Sequence, residues 1–392
     1  MTYNAKNILF IIFLLISVDY GGDAVIKGMP LNVNTPDLIF KILMTLATII
    51  LIVSFGLKIP RKISFVVPFY ILIGVILLGF VNGVLSNNFW NAFNETMPFI
   101  FFMIFLPICS IKKPISSENI ENALKIFVYI VSIKVIIYIV AFYILYDVPS
   151  WKILLKQSPL LLIPLSVYCS KLAMQTKPNE SINFILFLIM VCVVFSQARM
   201  LIIACVFVFS FYFLGRRIVR ILPIVFIMGV SLLVYFLFIG DLGKFGEVIN
   251  GSKEFSAGMD YRLVQLDVLI DRFIEFPLFG VGFGYYTPGY STYGLLAKPY
   301  LLELDIFNFI SKIGAIGAVF YGLAYLLLFR LIMTIADDNV RRLSTSMFIS
   351  LIALLVYSLG QTAHQSVTYW IFLGFVYGFV VSHLRAQGRI TN

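Results

Sequence analysis

The sequence predicts an all-α, polytopic membrane protein. Three observations carry that: an extreme apolar excess, recurring apolar runs of membrane-span length, and basic residues confined to alternate loops. Hydrophobic residues make up 61% of the 392 positions and charged residues 12%, whereas a soluble globular chain carries about a quarter charged residues. A soluble fold of this length has no interior large enough for so much apolar surface. Lipid is therefore the solvent. A transmembrane helix takes roughly 17–25 apolar residues. Runs of that kind fall near 5–20, 38–57, 64–85, 97–110, 124–146, 158–174, 182–196, 200–215, 219–240, 304–329, 345–362 and 366–384, about twelve spans in all.

Orientation follows from the distribution of Lys and Arg. Lys58/Arg61/Lys62, Lys112/Lys113, Lys171/Lys177, Arg216/Arg217/Arg220, Arg341/Arg342 and Arg385/Arg389 all share one side when the spans alternate. The positive-inside rule makes that side the cytoplasm, with both termini on it. A missed or extra span would move the later clusters across, so their agreement supports the count. The net charge of +10 lies in these short clusters between apolar runs, a loop pattern rather than a nucleic-acid surface. No nucleic-acid partner is expected.

Taken in order, the run at 5–20 is the weakest span. Asn7–Val18 is short and follows Lys6, which leaves a signal peptide as the competing reading, although no small-residue cleavage site follows. The stretch 183–215 is too long for one span and reads as two short helices broken at Ser196-Gln-Ala-Arg199, at the outer face. Residues 241–302 form the single long hydrophilic connection, also outside, within one integral membrane domain over 1–392. There is no internal repeat. Cys109, Cys169, Cys192 and Cys205 sit in or beside apolar runs, as small buried hydrophobes do. With only His364 and His383 present, a His-based zinc site is excluded. No metal and no cofactor is expected.

Several residues break the apolar pattern where chemistry needs charge. Arg199 lies at the outer break; an arginine at that depth costs a few kcal/mol unless it has a partner, a wet cavity or lipid phosphates to reach. In the outer loop, Asp260 is an N-cap candidate, Arg262 follows in the first turn, and Pro277 closes an amphipathic helical pattern. Leu263, Leu266, Ile270 and Phe273 form its expected apolar face, and Asp267, Asp271 and Glu275 its polar one. A helix N-terminus carrying an arginine suits a diphosphate, while a solvated helix lying on the membrane is the plainer alternative. Gly280, Gly282 and Gly284 alternate after Pro277 and permit positive φ and close ligand approach, although a flexible turn has the same look. Glu303 and Asp305 open the tenth span, and Asp305, Asn308 and Lys312 share one face of an otherwise apolar helix. That stripe should face a cavity or another helix, and its structural alternative is a Lys312–Asp305 bridge. Lesser candidates are Lys134 in mid-membrane, Glu95 in an outer loop, and His364 in an outer turn.

With these pieces in order, the sequence resembles the O-antigen polymerase and ligase superfamily. The resemblance rests on Ser196-Gln-Ala-Arg199, on Arg262 about fifteen residues before Pro277-Leu-Phe-Gly280-Val-Gly282, and on Glu303-Leu-Asp305 leading to Gly314-Ala-Ile-Gly317. It covers residues 183–330 by motif and the N-terminal half by span count. It implies a membrane glycosyltransferase with a GT-C-like fold in the bacterial inner membrane. The implied partners are undecaprenyl-diphosphate-linked oligosaccharide repeat units, their O-antigen (lipopolysaccharide) or capsular polymer, membrane lipid and a chain-length regulator. Ligases of the superfamily usually carry His-Asn where this chain has Glu303-Leu304, which favours a Wzy-type polymerase. In that reading Arg199 and Arg262 bind the diphosphate, and Glu303 or Asp305 is the base. The rival class is a lipid-linked oligosaccharide flippase or transporter, which would gather its charges near mid-membrane with repeat symmetry. Other membrane glycosyltransferases keep paired acids in the first outer loop, where Asp19 and Asp23 are the nominal pair.

Overall fold

The structure, a computed structural model, describes residues 63–104, 108–109, 114–140, 158–174, 179–196, 199–213, 265–285, 304–359 and 367–388. Regular structure among these residues is entirely helical. The helices are α1 (Ile63–Ser86), α2 (Phe89–Ile100), α3 (Ser117–Val140), α4 (Leu162–Met174), α5 (Glu180–Ser196) and α6 (Arg199–Phe213). They continue with α7 (265–275), α8 (Asp305–Met333), α9 (Asp338–Tyr357) and α10 (Val367–Ala386). Among the described residues four stretches are long and apolar enough to cross a membrane: Val67–Ser86, Asp305–Met333, Asp338–Tyr357 and Tyr369–Ala386. The expected spans near 5–20, 38–57 and 219–240, and most of the loop 241–302, lie outside the described residues.

The chain divides into two compact units. The first comprises 1–51, 113–245 and 345–354. Within it α4 packs against α5 and α6, and α3 against α5. Leu162 to Cys169 are buried without interruption, the signature of a helix surrounded on all sides. Both hydroxyls among them are satisfied: Ser166 Oγ donates to the Ser346 carbonyl at 2.8 Å and Tyr168 Oη to the Glu121 carbonyl at 3.3 Å. α5 ends at Ser196 and α6 starts at Arg199, so the long apolar stretch is divided at the polar tetrapeptide.

The second unit comprises 52–112, 246–344 and 355–392. Here α8 packs along α1, and α10 packs on α2 and on the 3₁₀ turn Phe101–Ile104 that follows it. Phe99 stands edge-on to Trp370 at 4.6 Å and lies 5.1 Å from Phe283, while Phe309 meets Tyr321 at 5.1 Å. Such offset and edge contacts are the favoured aromatic geometries. α2 departs from expectation. Its start, residues 89–96, carries Asn91, Asn94, Glu95 and Thr96 and so breaks the apolar run, yet it is helical and buries Ala92, Glu95 and Phe99 on one face. Asn88 caps it, its side chain accepting from the Trp90 N–H at 2.8 Å.

α8 is not continuous. At Gly314 the backbone turns to φ 66°, ψ −175°, a conformation only glycine takes cheaply. The break releases two helical donors and two acceptors, and the loop 277–282 takes all four. Ala315 N donates to Pro277 O (2.8 Å) and Ile316 N to Leu278 O (3.1 Å), while Val281 N donates to Ser311 O (3.2 Å) and Gly282 N to Lys312 O (3.0 Å). Unpaired backbone groups are costly away from water, so the loop and the break stabilise each other. The contact is backbone against backbone: a Cβ at Gly282 would stand 2.3 Å from Gly83 N, and one at Gly314 2.4 Å from Leu278 O.

A side chain of α1 and one just past its end complete the fastening. Asn82 Nδ2 donates to Gly280 O at 2.6 Å, and Asn87 Nδ2 to Val281 O at 3.1 Å. Asn82→Ala should lower stability by about 1–3 kcal/mol, the usual penalty when a partly buried carbonyl loses its donor. The measurement is the denaturation midpoint of the purified protein in detergent, and an unchanged midpoint would show that the loop is held without Asn82.

Candidate functional site

The polar stripe of α8 is wholly enclosed. Asp305, Asn308 and Lys312 each have 0% exposure. The i, i+3, i+7 spacing places them on one face, with Asp305 and Lys312 about 10 Å apart along the axis. Lys312 forms an ion pair with Glu95 of α2 through Oε1. The other carboxylate oxygen of Glu95 accepts the Gly284 N–H at 2.6 Å. One carboxylate therefore ties α2, α8 and the glycine-containing loop together. The partner of Lys312 weighed from sequence was Asp305; the structure supplies Glu95, which the helical start of α2 carries into the interior.

A second cation lies close by. Arg272 of α7 is only 5% exposed, and its guanidinium carbon sits 4.8 Å from the centre of the Tyr285 ring. Among the described residues its Nε and Nη2 have no hydrogen-bond partner. Burial pushes the guanidinium pKa below its ordinary value, and Tyr285 and then Glu95 oppose that shift. Arg272 and Asp305 both act electrostatically on Lys312. The group thus holds two carboxylates and two cations with almost no water, where Coulomb interactions are strongest. Further along, the hydroxyls of Tyr321 and Tyr325 lie 2.9 Å apart, and Tyr325 and Tyr369 are in contact. Among the described residues no three His, Cys, Asp or Glu side chains come together as metal ligands.

Residues 184–305 match the family model described as O-antigen ligase. Over that segment the chain is similar to the O-antigen polymerase and ligase superfamily. No curated protein matches it. That similarity supports O-antigen ligase or polymerase-type membrane function.

The matched segment runs from α5 to the first residue of α8, so Asp305 closes it. Arg199 opens α6 in the first unit. Arg262, Glu303 and His364 lie outside the described residues, and Lys134 lies on α3 without a described side chain. His383 is in the last turn of α10, 4.5 Å from the Phe379 ring. Gly280, Gly282 and Gly284 were expected to let a ligand approach the backbone. Their N–H groups instead donate to Phe276 O, Lys312 O and Glu95 Oε2, and their positive φ angles of 70–80° serve close packing on α1, α2 and α8. The amphipathic pattern of α7 is largely kept. Gln265, Leu269 and Arg272 face inward, with Leu269 against Leu304, while Ile270 and Ile274 are exposed. Asp267, Asp271 and Glu275 are exposed and Leu266 packs on Leu269, so among the described residues the expected pattern holds except at Ile270. Arg272 escaped the sequence reading because it was flanked by the acids of the apparent polar face. The signal that could have found it was its i+7 spacing from Gln265, which puts both on the face of Leu269.

Proposed function

We propose that the chain is a polymerase that transfers a growing glycan from its undecaprenyl-diphosphate carrier onto a new lipid-linked repeat unit. The carrying observation is the enclosed group of Glu95, Asp305, Lys312 and Arg272, each 5% exposed or less, since ionisable groups shut away from water are expensive and cluster at functional sites. In the reaction an acceptor hydroxyl oxygen attacks the anomeric carbon of the donor sugar. The carbon–oxygen bond to the diphosphate breaks, the lipid diphosphate leaves with the bonding pair, and the hydroxyl proton passes to a carboxylate. Asp305 or Glu303 is that base. Arg199 and Arg262 stabilise the charge growing on the diphosphate, an effect strongest in a water-poor site. The reaction takes place at the outer face of the bacterial inner membrane, in a GT-C-like fold with twelve spans, both termini cytoplasmic and 241–302 outside. A chain-length regulator is the proposed protein partner.

A ligase is the second reading, favoured by the description of the matching family; Glu303-Leu304, where ligases usually carry His-Asn, speaks against it. Deletion of the gene separates them on a gel of surface glycan. Single repeats on the surface support the polymerase, whereas lipid-linked polymer with a bare surface supports the ligase. Restoring the gene with Arg199→Ala or Arg262→Ala should lower polymer formation about a hundredfold, the scale of one lost transition-state contact. Lysine should rescue only in part because it lacks the guanidinium fork. Wild-type ladders from both alanine proteins, inserted at normal levels, would remove these arginines from the diphosphate site.

A further inference from the structure

We infer that Arg272 is a receptor for an oxyanion with two oxygens on one centre, brought by the substrate to the α7 face of the buried charge group. The inference rests on the polymerase reading for the source of the anion, but not for the site itself. Among the described residues Nε and Nη2 are the nitrogens without hydrogen-bond partners, and together they form the side-on edge of the guanidinium. That edge donates two parallel hydrogen bonds and matches a phosphate or a carboxylate. The Tyr285 ring occupies the face of the guanidinium at 4.8 Å, a cation–π contact that holds the group while leaving its edge free.

The surroundings explain why Glu95 does not fill the edge. Glu95 lies near enough to act on Arg272, yet its two oxygens are committed to Lys312 and to Gly284 N. Lys312 adds a second positive charge that acts on Arg272. A buried arginine left in this condition is a liability to the unliganded fold, and an arriving anion removes the liability. Contacts from the middle of α7 and from just past its end fix the geometry. Leu269 packs on Leu304 one residue before Asp305, and the Phe276 N–H donates to the Arg272 carbonyl at 2.9 Å, leading the chain directly into the loop clamped on α8. The receptor is thus built on the same elements as the stripe.

Two sources in a lipid-linked glycan carry this chemistry, a phosphate of the diphosphate and the carboxylate of an acidic sugar. The test uses the full-length protein in lipid nanodiscs with three probes: a polyprenyl diphosphate, the corresponding polyprenol, and a lipid-free uronic-acid oligosaccharide. Affinity and thermal midpoint are measured for wild type, Arg272→Met and Arg272→Lys. Wild type should bind one of the two anionic probes more tightly than Arg272→Met by about tenfold or more, the scale of a charge-assisted pair. Which probe responds identifies the source. Arg272→Lys should fall between, and polyprenol should bind all three proteins alike. Without ligand, Arg272→Met should keep or raise the thermal midpoint, since it removes a charge with unfilled hydrogen bonds. A lowered unliganded midpoint in both variants, or equal binding of both anionic probes by all three proteins, overturns the receptor. These titrations need no turnover, so they stand apart from the polymerase reading, which fails separately if a deletion strain still makes full-length polymer.

Discussion

Glu95→Gln and Lys312→Met should each destabilise the second unit by about 3–5 kcal/mol, because each leaves the other member of a buried ion pair uncompensated. Against a typical total stability of about 5–15 kcal/mol, that is enough to leave much of the protein unfolded at growth temperature. The pair has 0% and 1% side-chain exposure, so neither solvent screening nor lipid headgroups can replace the lost partner. Glutamine at 95 keeps the volume and can still accept the Gly284 N–H, which isolates the charge. The double variant Glu95→Gln/Lys312→Met should recover most of the loss, since exchanging both charges together removes two desolvation penalties. Denaturation midpoints of the four proteins in detergent measure the cycle. Additive losses, with the double variant worse than either single, would show that the two charges act separately.

Asp305→Asn should lower the rate of polymer extension by about 10²–10⁴-fold, the usual contribution of a positioned general base. The substitution keeps shape and most hydrogen bonding while removing the ability to hold the acceptor proton. The assay is extension of lipid-linked repeats by purified protein, alongside Glu303→Gln and with the thermal midpoint followed in parallel. A rate loss at an unchanged midpoint assigns the proton to Asp305. A wild-type rate in Asp305→Asn with a collapsed rate in Glu303→Gln transfers that role to Glu303.

Much of the scaffold was legible in the sequence because lipid imposes a simple rule: backbone groups must be paired within the segment, so long apolar runs become helices. Ile63–Ser86, Leu162–Met174, Asp305–Met333 and Val367–Ala386 appear where their apolar runs lie, and the polar break between Ser196 and Arg199 separates two helices. The shared face of Asp305, Asn308 and Lys312 was equally readable, since helical periodicity alone puts those positions together.

What tertiary structure decided is everything that depends on who faces whom. Glu95 and Lys312 are 217 residues apart in sequence, and only the packing of α2 and α8 in one unit makes them partners. The break at Gly314 looks from sequence like close helix packing. It works because a loop about thirty residues earlier returns with the four complementary backbone groups. Arg272 sits on the buried face of its helix beside Gln265 and Leu269, while Ile270 and Ile274 are exposed, and only the packing of that helix shows it. In lipid, apolar residues are content on either side, so hydrophobicity locates the helices. It is the scarce polar groups, each seeking a partner across the fold, that decide which way those helices turn.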